Sequence, residues 1–207
     1  MITPEFIAIW VAWMLAGGSP GPATLGSAGT AMTAGRASAL PFAFGILAGS
    51  ATWGIAAALG LSAIMLANVW LFEVIRYAGA AYLGWLAIKA LRRAIKNKGG
   101  QSGTPFSGSA RTLFAKGAAI HLTNPKAILS WGSIYAIVAP PNATLGMMMG
   151  YFGLLYAGSI LIFVGYAFLF SSDRMVRTYA RASRWFDFVF AGFFGFASFK
   201  ILTARLQ

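Results

Sequence analysis

Two stretches, Ala16-Gly-Gly-Ser-Pro-Gly-Pro-Ala-Thr24 and Gly117-Ala-Ala-Ile-His-Leu-Thr-Asn-Pro-Lys126, place proline inside long apolar runs of this sequence. Proline removes one intrahelical hydrogen bond and clashes with the carbonyl four residues earlier. Each stretch also has the signature of a helix start, because Ser19-Pro20 and Asn124-Pro125 are both a capping residue followed by proline at the first helical position. The pattern predicts two helices that break and restart within apolar surroundings.

The composition indicates a chain whose main solvent is lipid. Of its 207 residues, 58% are hydrophobic and 10% are charged, whereas a soluble domain carries roughly 25% charged residues. Lys and Arg number 16 against 4 Asp and Glu, and the basic loops of a membrane protein explain this excess without a nucleic-acid partner. The absence of cysteine excludes disulfides, thiol catalysis and thiolate metal sites. We therefore expect an all-α membrane protein.

Apolar runs of membrane-spanning length can be counted along the chain. A helix needs roughly 20 apolar residues to cross a bilayer core of about 30 Å. About six transmembrane helices are predicted, over residues 4–34, 39–66, 69–91, 112–139, 143–170 and 186–203. The proline breaks lie within the first and the fourth of these spans.

The connections between the predicted spans alternate in charge. The second and fourth carry no charged residue, whereas the first, third and fifth are basic. Their basic residues are Arg36 in the first, Lys89, Arg92, Arg93, Lys96, Lys98, Arg111 and Lys116 in and around the third, and Arg174, Arg177, Arg181 and Arg184 in the fifth. Because basic loops favour the cytoplasm, we expect both termini in the periplasm.

A glycine-rich linker over about residues 97–110 divides the chain. It separates a first repeat, about residues 1–96, from a second, about residues 111–207, each with three predicted spans. An odd number of spans gives the repeats opposite orientations, and transporters built from inverted repeats bind substrate near the midplane of the membrane. We predict one transmembrane domain made of two inverted three-helix repeats with broken first helices and a cytoplasmic linker.

The restarted helices form a candidate substrate site. The first amides of a helix lack intrahelical partners and carry a partial positive charge, which favours an anionic group. Since proline has no N–H, the expected donors at the first break are Gly21, Ala23 and Thr24. The predicted substrate-binding residues are Pro20, Gly21, Pro22, Ala23, Thr24, Asn124, Pro125 and Lys126.

Lys126 is the most informative of these residues. It follows Lys116 by ten residues, which places it about 15 Å deeper along a helix and close to the bilayer centre. A lysine at that depth costs roughly 2.5–3.5 kcal/mol to insert, so it should face protein or water. Lys126 is therefore expected to contact substrate or exchange a proton, and the alternative is a side chain that snorkels along the break.

Two further residues are candidates for proton coupling beside Lys126. Glu73 is the only acidic residue well inside a predicted span, although its spacing from Arg76 also fits an intrahelical ion pair. His121 is the only histidine and lies one turn before the second break. A proton relay and a hydrogen-bonded interior residue are equally compatible with that position.

Three blocks of the sequence resemble the LysE/RhtB family of bacterial amino-acid exporters, and together they cover nearly the whole chain. They are Pro20-Gly21-Pro22 with Gly35-Arg36, Gly45 and Gly49, then Tyr77–Lys89, then Gly117–Lys126. The sequence departs from the family at Ala23, where many members have Asp or Asn after the PGP motif.

The resemblance implies a secondary transporter that exports an amino acid or a derivative across the bacterial inner membrane, coupled to proton influx. Its partners would be the amino-acid substrate, protons and membrane lipids, with no cofactor, no metal site and no enzymatic activity. The identity of the substrate, the ion stoichiometry and a homo-oligomeric assembly stay open.

Two other functions compete with amino-acid export. A divalent-cation exporter of the same superfamily needs soft or anionic ligands, and His121 with Glu73 is a poor set. An intramembrane hydrolase would pair a serine with His121, but no nucleophile-elbow pattern surrounds any serine of the sequence. The sequence therefore favours the amino-acid exporter.

Overall fold

The computed structural model describes residues 4–67, 69–96, 105–139 and 143–203, and within these ranges all regular structure is helical. The helices are α1 (Pro4–Gly18), α2 (Pro22–Ala67), α3 (Val69–Lys96), α4 (Ala110–Leu122), α5 (Pro125–Val138), α6 (Leu145–Leu169) and α7 (Asp173–Thr203). The predicted all-α class is confirmed. Most of the predicted linker, residues 97–104, lies outside the described residues.

Both predicted breaks are present as gaps between helices. The first lies between α1, which ends at Gly18, and α2, which begins at Pro22. The second lies between α4, which ends at Leu122, and α5, which begins at Pro125. A capping residue followed by proline therefore correctly predicted the position of both breaks.

Helix α2 joins two segments that the sequence assigns to separate spans. It bends at Gly35, whose backbone has φ 72° and ψ 179°, a region open essentially to glycine alone. Two helical segments therefore meet at Gly35 without a loop, within the connection that the sequence predicts between the first two spans, and Arg36 follows the kink directly.

Helix α7 begins earlier than the predicted sixth span. It starts at Asp173, so the predicted connection with its four arginines is helical from Arg174 onward. Hydropathy locates only the apolar part of this helix, but charge does not prevent helix formation, and arginine is a good helix former.

Two described helices are long and apolar enough to cross a membrane on their own. They are α2, over Pro22–Gly60, and α6, and Phe6–Gly18 adds a shorter apolar helix. Helices α4 and α5 have 13 and 14 residues, fewer than the roughly 20 that one span needs. The count of six spans and the inverted repeat therefore stay predictions.

The helices pack mainly across the linker that divides the chain. Helix α2 packs chiefly against α4 and α6, and α3 against α7. A Cβ on Gly45 would overlap the carbonyl of Phe114, and one on Gly117 would overlap the carbonyl of Phe42. Glycine thus lets the backbones of α2 and α4 touch, as small residues do where membrane helices cross.

An ion pair joins α3 to α7. A guanidinium nitrogen of Arg93 lies 2.8 Å from Oδ1 of Asp187, and the Nε of Arg93 donates to the same oxygen at 3.0 Å. Asp187 is 7% exposed. The carboxylate is therefore buried well inside α7 beside a cationic partner.

Candidate functional site

A small cavity lies where the two helix breaks meet. Residues of α1, α2, α4, α5 and α6 line it, and it has about 40 Å³ of space. A cavity of that size holds a few water molecules.

The first break keeps its backbone groups paired through side chains. The hydroxyl of Ser19 donates to the Ala16 carbonyl at 2.8 Å, and the hydroxyl of Tyr166 donates to the Gly18 carbonyl at 2.6 Å. The amide of Gly21 donates to Oγ1 of Thr24 at 2.9 Å. In the described conformation the N–H of Gly21 is therefore taken by the nearby threonine.

The helix after the first break does not begin where the sequence predicts. Ser19 was expected to cap a helix that begins at Pro20, but α2 begins two residues later, at Pro22. Either proline suits the first helical position, so the sequence signal could not choose between them. The Ser19 hydroxyl instead closes the end of α1.

The second break has the geometry that the sequence predicts. Asn124 is the N-cap of α5, and its Oδ1 accepts from the amide of Lys126 at 3.0 Å. Pro125 occupies the first turn. On the other side of the break, the amide of Asn124 donates to the His121 carbonyl at 3.2 Å. A short-range signal was sufficient here because all of these contacts lie within four residues.

Lys126 connects the two breaks. Its Nζ donates to the Ser19 carbonyl at 2.8 Å and to the Ser19 hydroxyl at 2.6 Å. The side chain passes over Gly21, where a Cβ would lie 3.4 Å from the lysine Cδ. The ammonium therefore lies against the carbonyl end of α1, where the helix dipole is negative.

Aromatic rings form one wall of the cavity. The rings of Trp13 and Trp131 lie 4.4 Å apart between centroids. The indole N–H of Trp131 donates to the Ser50 hydroxyl at 3.1 Å, and that of Trp13 lies 2.8 Å from the Leu155 carbonyl and 3.2 Å from the Ser159 hydroxyl. The wall is thus apolar, and its indole N–H groups are already paired within the protein.

Two polar atoms of the lining have no partner among the described residues. They are Nδ1 of His121 and Oγ of Ser130. A third such buried atom, the hydroxyl of Ser27, does not belong to the cavity. Unpaired buried polar atoms are few in native proteins, and two of the three found among the described residues belong to side chains of the cavity lining.

The predicted residues divide between the cavity and its rim. Those that line the cavity are Gly21, Ala23, Thr24, His121, Asn124 and Lys126. Pro20, Pro22 and Pro125 are absent from the lining and shape the chain beside it. Glu73 lies in α3, and its side chain is outside the described residues.

Several lining residues were not predicted from the sequence. They are Trp13, Gly17, Ser50, Ala127, Ser130, Trp131, Ser159 and Phe163. Ser130 follows Lys126 by four residues and so shares its face of α5, a spacing that could have identified it. The remaining residues come from several helices and meet only through tertiary packing.

Comparison with known proteins places these features among transporters. The LysE type translocator family matches residues 15–205. The chain is 32% identical to a threonine efflux protein of Escherichia coli K12 over 201 residues, covering 96% of this chain and 98% of that protein. A threonine efflux protein of Salmonella typhi is 32% identical over 188 residues, covering 89% and 91%.

A third relative carries a different substrate name. The leucine efflux protein of Klebsiella pneumoniae is 30% identical over 166 residues, covering 80% of this chain and 77% of that protein. No solved structure matches the chain.

Proposed function

The chain belongs to the LysE family of translocators, and on this premise we propose that it exports an amino acid or a close derivative across the bacterial inner membrane. Relatives named for threonine and leucine efflux support amino-acid export over divalent-cation export and over hydrolysis. Export is proposed to be coupled to proton influx.

The pairing of Lys126 with Ser19 carries the proposal. A zwitterionic amino acid has one carboxylate and one ammonium, and the pair offers a complement to each. If the carboxylate takes Lys126, the Ser19 carbonyl that the lysine releases becomes an acceptor for the substrate ammonium. Charge-assisted hydrogen bonds contribute about 1.5–3 kcal/mol each, so contacts to the substrate carboxylate and ammonium would offset the two hydrogen bonds that Lys126 gives up at Ser19.

The helix ends reinforce this arrangement. The N-terminus of α5 lies beside Lys126 and favours the carboxylate, whereas the C-terminus of α1 lies beside Ser19 and favours the ammonium. Each such contact is worth about 0.3–2 kcal/mol. The proposed substrate site therefore contains the predicted residues Pro20, Gly21, Pro22, Ala23, Thr24, Asn124, Pro125 and Lys126.

The proposed architecture has two inverted repeats, residues 1–96 and 111–207, that meet at the cavity. Each repeat contributes one helix break, and Lys126 of the second break reaches Ser19 of the first. Both termini are proposed to face the periplasm. Lys126, His121 and Glu73 are the proposed candidates for proton exchange.

The test is a substrate screen in everted inner-membrane vesicles. An acidic lumen should drive uptake of a labelled amino acid, because the everted membrane turns export into uptake and the proton leaves the lumen in exchange. If uptake persists after a protonophore collapses the gradient, the proposal of proton coupling fails, but the proposal of amino-acid export stands. If no amino acid accumulates above vesicles that lack the protein, the proposal of amino-acid export fails.

A further inference from the structure

We infer that four arginines of α7 form a binding surface for the headgroup of an anionic phospholipid, whose acyl chains pack on exposed aromatic residues of the same helix. The four, which we call the arginine stripe, are Arg174, Arg177, Arg181 and Arg184. None of them lines the cavity between the helix breaks. The inference therefore goes beyond the proposed function and does not depend on the substrate that the protein carries.

The arginine stripe follows one side of α7. Spacings of three, four and three residues place its members within an arc of about 80°, because each residue of a helix turns by about 100°. All four side chains are exposed. The residues that join α7 to α3 lie outside this arc, since Asp187 pairs with Arg93 and the Ser198 hydroxyl donates to the Ala80 carbonyl. The stripe is therefore open to the surroundings of the protein.

No carboxylate neutralises the stripe in the part of the chain that the structure describes. The ion pair found there joins Arg93 to Asp187, and Asp173 at the start of α7 forms none. Because α3 and α7 run antiparallel, the last turns of α3 lie at the same end of the helix pair. They add three exposed cations, Lys89, Arg92 and Lys96. This end of the pair therefore needs anions from outside the protein.

The stripe continues into the apolar part of α7. Trp185 follows the last arginine and is 72% exposed, and Phe199, which falls within the same arc, is 65% exposed. The guanidinium of Arg184 lies 5.6 Å from the centroid of the Phe188 ring, so it is directed toward the apolar part of the helix. Charge followed by exposed aromatic surface matches a phospholipid, which has an anionic headgroup followed by apolar chains, better than it matches a soluble anion.

Depth divides the stripe into an inner and an outer pair. Tryptophan is typical of the membrane interface, and at 1.5 Å per residue Arg184 and Arg181 lie about 1.5 and 6 Å beyond Trp185 along the axis. Arg177 and Arg174 lie about 12 and 17 Å beyond it. Since the headgroup layer is roughly 5–8 Å thick, the inner pair lies at headgroup depth and the outer pair extends past it.

The experiment measures lipid binding to the detergent-purified protein by native mass spectrometry. The wild type should bind phosphatidylglycerol about tenfold or more tightly than zwitterionic phosphatidylcholine, because basic residues attract the net charge of the headgroup. Glycerol 3-phosphate, which has the phosphate without the acyl chains, should not displace phosphatidylglycerol at an equal concentration. This comparison separates a lipid site from a site for a soluble phosphate.

The variants change the inner and the outer pair by the same charge. Arg181→Gln with Arg184→Gln should weaken phosphatidylglycerol binding by about tenfold or more, since each basic residue near a membrane surface contributes about fivefold. The matched control, Arg174→Gln with Arg177→Gln, should weaken it by less than about threefold. Arg181→Lys with Arg184→Lys should keep most of the affinity, because the charge remains. Wild-type melting temperatures without added lipid show that the variants are folded.

Three results would overturn the inference. Equal affinity of the wild type for phosphatidylglycerol and phosphatidylcholine would show that the stripe does not select an anionic lipid. Equal losses in the inner-pair and outer-pair variants would reduce the stripe to a diffuse field of positive charge that orients the protein in the membrane. Displacement of the lipid by glycerol 3-phosphate would assign the stripe to a soluble anion.

Discussion

The ammonium of Lys126 lies 2.8 Å from the carbonyl oxygen of Ser19, although 107 residues separate the two in sequence. The lysine side chain therefore reaches across the two helix breaks to the other half of the chain. It is held inside the protein by the carbonyl end of a helix from the other half of the chain.

Replacing Lys126 with Met should reduce amino-acid transport by about tenfold or more, because the stem keeps its volume and the charge for the carboxylate is lost. Insertion should be unaffected, since removing the charge lowers the cost of burial in the membrane. Initial rates in everted vesicles, normalised to the amount of protein, measure the effect. Lys116→Met is the matched control, because that lysine binds the Ser107 carbonyl away from the cavity.

A Lys126→Arg protein should recover only part of the rate, since a planar guanidinium does not reproduce a compact ammonium. Wild-type transport by a normally expressed Lys126→Met protein would show that the charge has no part in substrate binding.

Gly117→Ala should lower the apparent melting temperature of the detergent-purified protein. The new Cβ would overlap the Phe42 carbonyl, and overpacking of this kind costs about 1–3 kcal/mol. Gly153→Ala is the control, because a Cβ at that position would have no neighbouring atom within 4 Å and alanine is favoured over glycine in a helix by about 1 kcal/mol. Melting shifts of the same sign for the two proteins would argue against the close crossing of α2 and α4.

Asp187→Asn should destabilise the fold by up to about 3–5 kcal/mol, because Arg93 would stay largely buried without a counter-charge. The double variant Arg93→Met with Asp187→Leu should be closer to the wild type in stability, since no unpaired charge remains. A thermal-unfolding cycle of the wild type, Arg93→Met, Asp187→Leu and the double variant measures the coupling. Additive losses in the double variant would mean that the two residues do not stabilise each other.

A single cysteine at Ser107 should stay unlabelled when intact cells are treated with a membrane-impermeant maleimide, whereas one at Ala143 should react. The chain has no native cysteine, so each signal is specific to one position. The expectation follows from the basic linker and the uncharged fourth connection. Labelling of position 107 from outside would reverse the proposed orientation of the protein.

Local signals predicted the parts of the site that depend on local contacts. Asn124 caps α5 through a bond to a residue two positions away, so the sequence carried all the information for that break. The sequence located the first break but did not predict the first residue of α2, because both Pro20 and Pro22 suit the first position of a helix.

The aromatic wall could not be predicted in this way. Trp13 and Trp131 meet only after α1 and α5 pack together, and nothing in the sequence around either residue distinguishes it from a tryptophan at the membrane interface. His121 could be identified from the sequence, but the lack of a partner for its Nδ1 becomes apparent only when the neighbouring helices are in place.

The contact of Gly45 and Gly117 with opposing carbonyls limits how the protein can move. Helices α2 and α4 come from opposite sides of the linker, yet their backbones touch. Helices α3 and α7 also come from opposite sides of the linker, and a buried ion pair joins them. A motion that separated α2 from α4 would have to break these backbone contacts, so we expect the glycine crossing to stay intact while the protein works.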